Sequence, residues 1–158
     1  MNMAYDVPKE KEPSVPLMYA DHEDSGAIAR ALIVRYHSHL ASAKIKWLCR
    51  NKSAKSGGKQ LPGQVKKASP IERHLADEEY DFIITVALDV WNNLTAEKKT
   101  ALIDHLLSRC SASENPNTGD VKYRVQPPQV QEFPDVALRH GAWNEDLQAL
   151  GSVINRTR

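Results

Sequence analysis

The stretch "YDFIITVAL", Tyr80 to Leu88, limits the fold more than any other part of this chain. Its nearly continuous apolar run predicts a central strand buried on both faces. The chain leaves that strand through "LDVWNNL", read as a short helix or turn, and enters an amphipathic helix over Ala96–Arg109. Thr95 is the expected cap, Glu97 and Lys98 fall in the first turn, and Leu102, Leu106 and Ile103 supply the buried face.

The elements on either side are shorter. "DSGAIARALIVRYHSHL" reads as a first helix capped by Asp24 or Ser25, with Ile28, Leu32, Ile33 and Tyr36 on one face. "KIKWLC", Lys44 to Cys49, alternates like a strand. The polar loop Arg50–Lys67 carries Gly57-Gly58, expected at the tip of a long hairpin that returns through "QVKKA". A helical piece beginning at Ser69-Pro70 carries Ile71 and Leu75. Beyond the main helix, "SASENPNTGD" reads as a loop and "VKYRV" as a short strand. "QVQEFPDVALRHGAW" turns helical toward its end and stops at Gly141, and Asn144 caps a closing helix that runs to Ile154. Irregularly interleaved helices and strands with no internal repeat place the chain in the α+β class. The expected architecture is a small mixed sheet of Lys44–Cys49, Gln64–Lys67, Tyr80–Ala87 and Val121–Val125, packed by the first helix and by Ala96–Arg109.

At 158 residues and 41 % hydrophobic, the chain fits one globular domain, 17–158, behind a Pro-rich arm, 1–16, expected to be flexible. The formal charge of +1 gives no global sign of nucleic-acid binding. Two cysteines, Cys49 and Cys110, are too few for a disulfide framework and read as reduced thiols. No secretory apolar region opens the sequence, and no run approaches a membrane span. A cytoplasmic protein with no membrane partner is the expectation.

The main helix has the frame of a zinc peptidase helix without its chemistry. An HExxH site needs two imidazoles four residues apart on one helix face, a Glu between them to activate water, and a further ligand from elsewhere. Here "DHLLSR" puts His105 at the first ligand position, Leu106 at the base position and Arg109 at the second ligand position. Leucine has no lone pair, and arginine is a fixed cation that repels a metal ion. Cys110 is rotated away from His105, while His37 and His39 are two residues apart and diverge on a helix. Cys49, His74, His140 and Glu132 have no diagnostic spacing. His105 reads as a helix residue hydrogen-bonded to a neighbour, and neither a metal nor another cofactor is expected.

Four segments in order, "IVRYHSHLASAKIKWLCRNK", "KSGGK…GQVKKAS", "YDFIITVALDVWNNLTAEKKTALIDHLLSRC" and "KYRVQPPQVQEFPDVALRHGAW", resemble the putative phage metallopeptidase family. The resemblance covers about Ile28 to Leu147 and implies a zincin-like fold. In that family the helix reads Asp-His-Glu-Leu-Cys-His, which lands on Asp104, His105, Leu106, Leu107, Ser108 and Arg109. A later His-Asp pair, followed by Val, acidic residues and Phe, lands on Pro128 to Phe133, so Pro128 stands where a third ligand is implied. The departures fall on the positions of catalysis while the apolar framework is kept, which implies a pseudoenzyme. Arg109 is then expected to pair with Glu132 or Asp104 beside the vacated site.

A phage origin implies work in the cytoplasm of a bacterial host. The leading expectation is a non-catalytic protein that binds and inhibits a host protein, such as a defence or DNA-processing factor. A second reading is nucleic-acid binding through Arg50, Lys52, Lys55, Lys59, Lys66 and Lys67, a run with no acidic residue, and with Trp47 available to stack on a base. The resemblance weakens it, because family members that retain the peptidase motif share the basic loop, and the same lysines would also serve a merely solvated hairpin. A third reading is a zinc metallopeptidase with altered ligands. Trp91 and Trp143 are expected in the core. "DEEYD", Asp77 to Asp81, is expected to cap or turn, and the acidic cluster Asp21 to Asp24 suits a helix N-terminus.

Overall fold

The computed structural model describes residues 13–76 and 78–156. Of the arm 1–16, residues 1–12 lie outside the described residues, as does Asp77 of the acidic patch; 13–16 is exposed coil. Eight strands and six α-helices are described, in α+β order. Strands β1 (Tyr19–Asp21), β2 (Ile45–Arg50), β5 (Gly63–Lys67) and β6 (Phe82–Ala87) form the main sheet in the order β1-β2-β6-β5.

Strand β6 is central, as its apolar run predicts. It runs parallel to β2, with Ile45 opposite Phe82, and antiparallel to β5, with Lys67 opposite Phe82. Phe82, Ile84 and Val86 are each fully buried against α1 (Glu23–Tyr36) and α4 (Ala96–Ser108). The opposite face departs from the expectation of two-sided burial. Ile83 and Thr85 are only half-buried there, under Tyr19, Leu48, Lys66 and Glu72 and not under a packed layer.

The long hairpin also resolves differently. The Gly57-Gly58 tip is present, with φ of +56° and +77°, values that glycine reaches without strain. It joins only the two-residue strands β3 (Lys55–Ser56) and β4 (Lys59–Gln60). Strand β5 then pairs with β6 and not with β2, because the more apolar β6 takes the place between them. Val121–Val125, β8, is not a strand of this sheet. It pairs with β7 (Cys110–Glu114), which falls in a stretch read as loop, and the two pack as a separate ribbon through Tyr123 against Phe82. The free edge of the main sheet goes to β1, antiparallel to β2.

Helix α1 starts two to three residues earlier than a cap at Asp24 or Ser25 would give. His22 is its cap residue, with its N–H donating to Trp47 O, and Ser25 is buried with Oγ 2.5 Å from His22 Nδ1. Ala29 and Leu32 face the core, Ile28 and Ile33 are half-buried, and Tyr36 is exposed. Helix α2 (Pro70–Leu75) carries Ile71 and Leu75 outward, both exposed. Helix α3 (Leu88–Trp91) buries Trp91. Helix α5 (Pro134–His140) ends at Gly141 with φ +66°, and Asn144 Oδ1 accepts from Leu147 N–H at the start of α6 (Glu145–Arg156). Trp143, between them, is 56 % exposed and not in the core. Among the described residues no helix is long and apolar enough to cross a membrane.

Helix α2 makes a local prediction. Ser69 Oγ accepts from Glu72 N–H while Glu72 Oε1 accepts from Ser69 N–H, a reciprocal capping box. The Lys66 ammonium, 2.8 Å away, and then the Ser69 hydroxyl hold the Glu72 carboxyl below its usual range. Ser69→Ala is expected to cost about 1 kcal/mol of unfolding free energy at pH 7. A depressed carboxyl stabilises the fold above its unfolded pKa and loses that contribution as pH falls through the folded value. The gap between Ser69→Ala and wild type therefore narrows on acidification in urea melts; a gap that widens would refute the capping box.

Candidate functional site

Helix α4 divides its side chains between core and cleft. Leu102, Ile103, Leu106 and Leu107 are buried, and His105, Ser108 and Arg109 lie on the other face at the i, i+3, i+4 spacing of one helix stripe. The chain returns to this face after β8 and is strapped there by Gln126. Its N–H donates to Arg109 O at 2.8 Å, and its Nε2 donates to Ser108 O at 2.9 Å. Its own carbonyl accepts from Arg109 Nε at 3.3 Å. Pro127 and Pro128 follow, and proline's fixed φ keeps the returning segment extended and off the helix.

A cleft of about 580 Å³ results, lined by His105, Ser108, Arg109, Gln126, Pro128 and Leu150 among others. Three of the five positions named from the family motif, His105, Arg109 and Pro128, thus meet in space across a large sequence gap. The other two do not join them. Leu106 is 2 % exposed and points into the core at Gly63, where an added Cβ would stand only 2.7 Å from Leu106 Cδ1. Glu132 accepts from Trp143 Nε1 at 3.0 Å and from Phe133 N–H, which turns it toward α5.

The ion pair expected for Arg109 does not form. Its guanidinium bonds the Gln126 carbonyl, while Asp104 Oδ1 lies 2.6 Å from Nε2 of the buried His37. This His37–Asp104 contact ties the end of α1 to α4 and is absent from the sequence reading, since the two residues are 67 positions apart. His39 goes elsewhere, with Nε2 3.1 Å from the Cys110 carbonyl. The His105 side chain is exposed and its imidazole makes no hydrogen bond among the described residues, where the sequence predicts a bonded helix histidine.

The donor set of the cleft decides whether it can hold a metal ion. His105 is its one imidazole; Arg109 brings a fixed positive charge, and Pro128 and Leu106 offer no donor. Cys110 is fully buried, and that burial pushes its thiol up to about 12, so it stays protonated at neutral pH. Among the described residues no three His, Cys, Asp or Glu side chains converge on a point that one ion could occupy. The residues present do not fit a zinc ion.

The basic segment is divided by the fold. Lys55 and Lys59 lie on the exposed β3–β4 hairpin at different register positions, opposite Gln60 and Ser56. Lys66 is paired with Glu72, Lys52 Nζ donates to the Val15 carbonyl, and Arg50 Nε donates to the Lys52 carbonyl. Asp89 reaches the foot of the hairpin, accepting from Ser53 N–H and Oγ, and those bonds hold its carboxyl below the usual range. Trp47 packs along α1 at Gly26, where an added Cβ would meet its ring at 3.2 Å.

No curated protein and no solved structure matches this chain. A sequence model of one family, described as "Putative phage metallopeptidase", matches residues 17–152, nearly the whole of the described chain. By that match the protein belongs to the phage metallopeptidase family.

Proposed function

We propose that this chain is a non-catalytic binding protein, a member of a peptidase family that has kept the scaffold and given up the metal centre. The observation that carries this reading is Arg109 in the cleft. A guanidinium held by the Gln126 carbonyl stands one helical turn from His105, at the position where the family motif has its second imidazole. A divalent ion placed beside it would meet repulsion where it needs a ligand. The packing of Leu106 supports the reading from the other side, because the base position has become part of the core.

The partner we propose is a protein of the bacterial host, bound and inhibited in its cytoplasm. Contact with nucleic acid through the hairpin draws less support, because Lys66 and Lys52 are already engaged within the fold.

Zinc content tests the loss of the centre. After equilibration with excess zinc and dialysis at pH 7.5, the protein is expected to retain well under about 0.1 equivalent, and equimolar zinc should leave its Tm unchanged. One tightly held equivalent that disappears in His105→Ala would restore the altered-ligand peptidase in place of this reading.

A further inference from the structure

We infer that the cleft between α4 and the Gln126–Val130 segment is a docking site for an acidic segment of a partner protein, with Arg109 seating a side-chain carboxylate. The inference rests on the non-catalytic reading above and names the chemistry of what that cleft takes. Charge is the first argument. Arg109 and His105 line the cleft, and none of the side chains around it is acidic. The carboxylates near it in sequence are committed elsewhere: Asp104 to His37 at the end of α1, Glu132 to Trp143 and the start of α5. A half-buried guanidinium without a carboxylate among the described residues is a strong site for one, since its fork matches the two oxygens.

The helix end does not oppose this. The last carbonyls of α4 would repel an anion if they faced the cleft, yet Ser108 O is taken by Gln126 Nε2 and Arg109 O by Gln126 N–H. The Gln126 carbonyl holds Arg109 through Nε, which fixes the plane of the guanidinium and leaves its two terminal nitrogens to bond a ligand. Val130 and Leu150 give the cleft an apolar wall beside this charge. The ligand that fits is therefore an extended peptide carrying Asp or Glu next to an apolar residue.

The test is panning of a displayed random peptide library on the full chain, followed by fluorescence anisotropy with the enriched sequences as synthetic, end-blocked peptides. Acidic peptides that bind Arg109→Gln at least about tenfold more weakly than wild type, but bind Lys98→Ala equally, are the expected result. A glutamine-for-glutamate peptide should lose as much. Enrichment of sequences without Asp or Glu, acidic peptides indifferent to Arg109→Gln, or no enrichment would each overturn the site. Should Arg109→Gln fail to fold, Arg109→Lys keeps the charge and loses the fork. It is expected to weaken binding by a smaller factor, and equal binding there would overturn the site as well. Mass spectrometry of the bound peptide after zinc addition separates the two readings. Cleavage would sink the non-catalytic function and leave the acidic seat standing.

Discussion

Phe82→Ala is expected to remove about 3–5 kcal/mol of unfolding free energy, a large share of the roughly 5–15 kcal/mol that holds a domain of this size together. Phe82 has no exposed surface. It begins the central strand, between Ile45 of β2 and Lys67 of β5, and meets Tyr123 edge-on with ring centroids 5.5 Å apart. Truncation therefore opens a cavity in the main core and also removes the Tyr123 ring contact that helps tie the β7–β8 ribbon to the sheet. Urea melts at pH 7 measure it, with Ile83→Ala as the comparison. Ile83 neighbours Phe82 on the half-covered face, so its loss should be clearly smaller. Equal losses from both variants would mean that the second face of the sheet is packed as tightly as the first.

The contrast between these two neighbours marks how far the sequence could be read. Signals written within a few residues were legible: the Ser69-Pro70 start of α2, Thr95 before α4, Gly57-Gly58 at a tight turn, Gly141 behind α5. Each acts through the local backbone, where a single side chain decides the geometry. Pairing was not legible. Nothing in "QVKKA" says that it should lie against β6 and leave β2 to β1, because that choice depends on which strand gains most from the centre of the sheet. Cys110–Glu114 became a strand against its polar composition because Val121–Val125 offers it a complete ladder. The same limit applies to the cleft. His105 and Arg109 could be placed on one helix face from their spacing alone. The strap by Gln126, the diversion of Asp104 to His37 and the turning of Glu132 toward Trp143 are long-range facts, and together they decide the charge that the cleft presents.

Leu106→Glu is the change with the largest expected effect, and it bears on the proposed loss of the family's site. The family resemblance places the general-base glutamate at this position, so a position that opened onto the cleft should accept one. This one should not. Leu106 is 2 % exposed, packed on the backbone at Gly63 and surrounded by core residues. Removing the leucine contacts costs about 2–5 kcal/mol, and an unpaired carboxylate in their place adds several more. A total above about 5 kcal/mol is expected, which reaches the roughly 5–15 kcal/mol that holds such a domain together and leaves much of the protein unfolded at neutral pH. Burial raises the pKa of such a carboxyl above its unfolded value, so the stability of the variant is retained below the unfolded pKa and lost as pH rises through the folded one. Relative to wild type, the variant should therefore recover at pH 4 and be worst at pH 8, as read by circular dichroism melts. If it melts within a few degrees of wild type at pH 8, residue 106 can turn out of the core and into the cleft, and the base position would still be open. If it unfolds as expected, the packing of Leu106 on Gly63 has closed the base position. Restoring that single residue would then cost the protein its fold before it could return any chemistry.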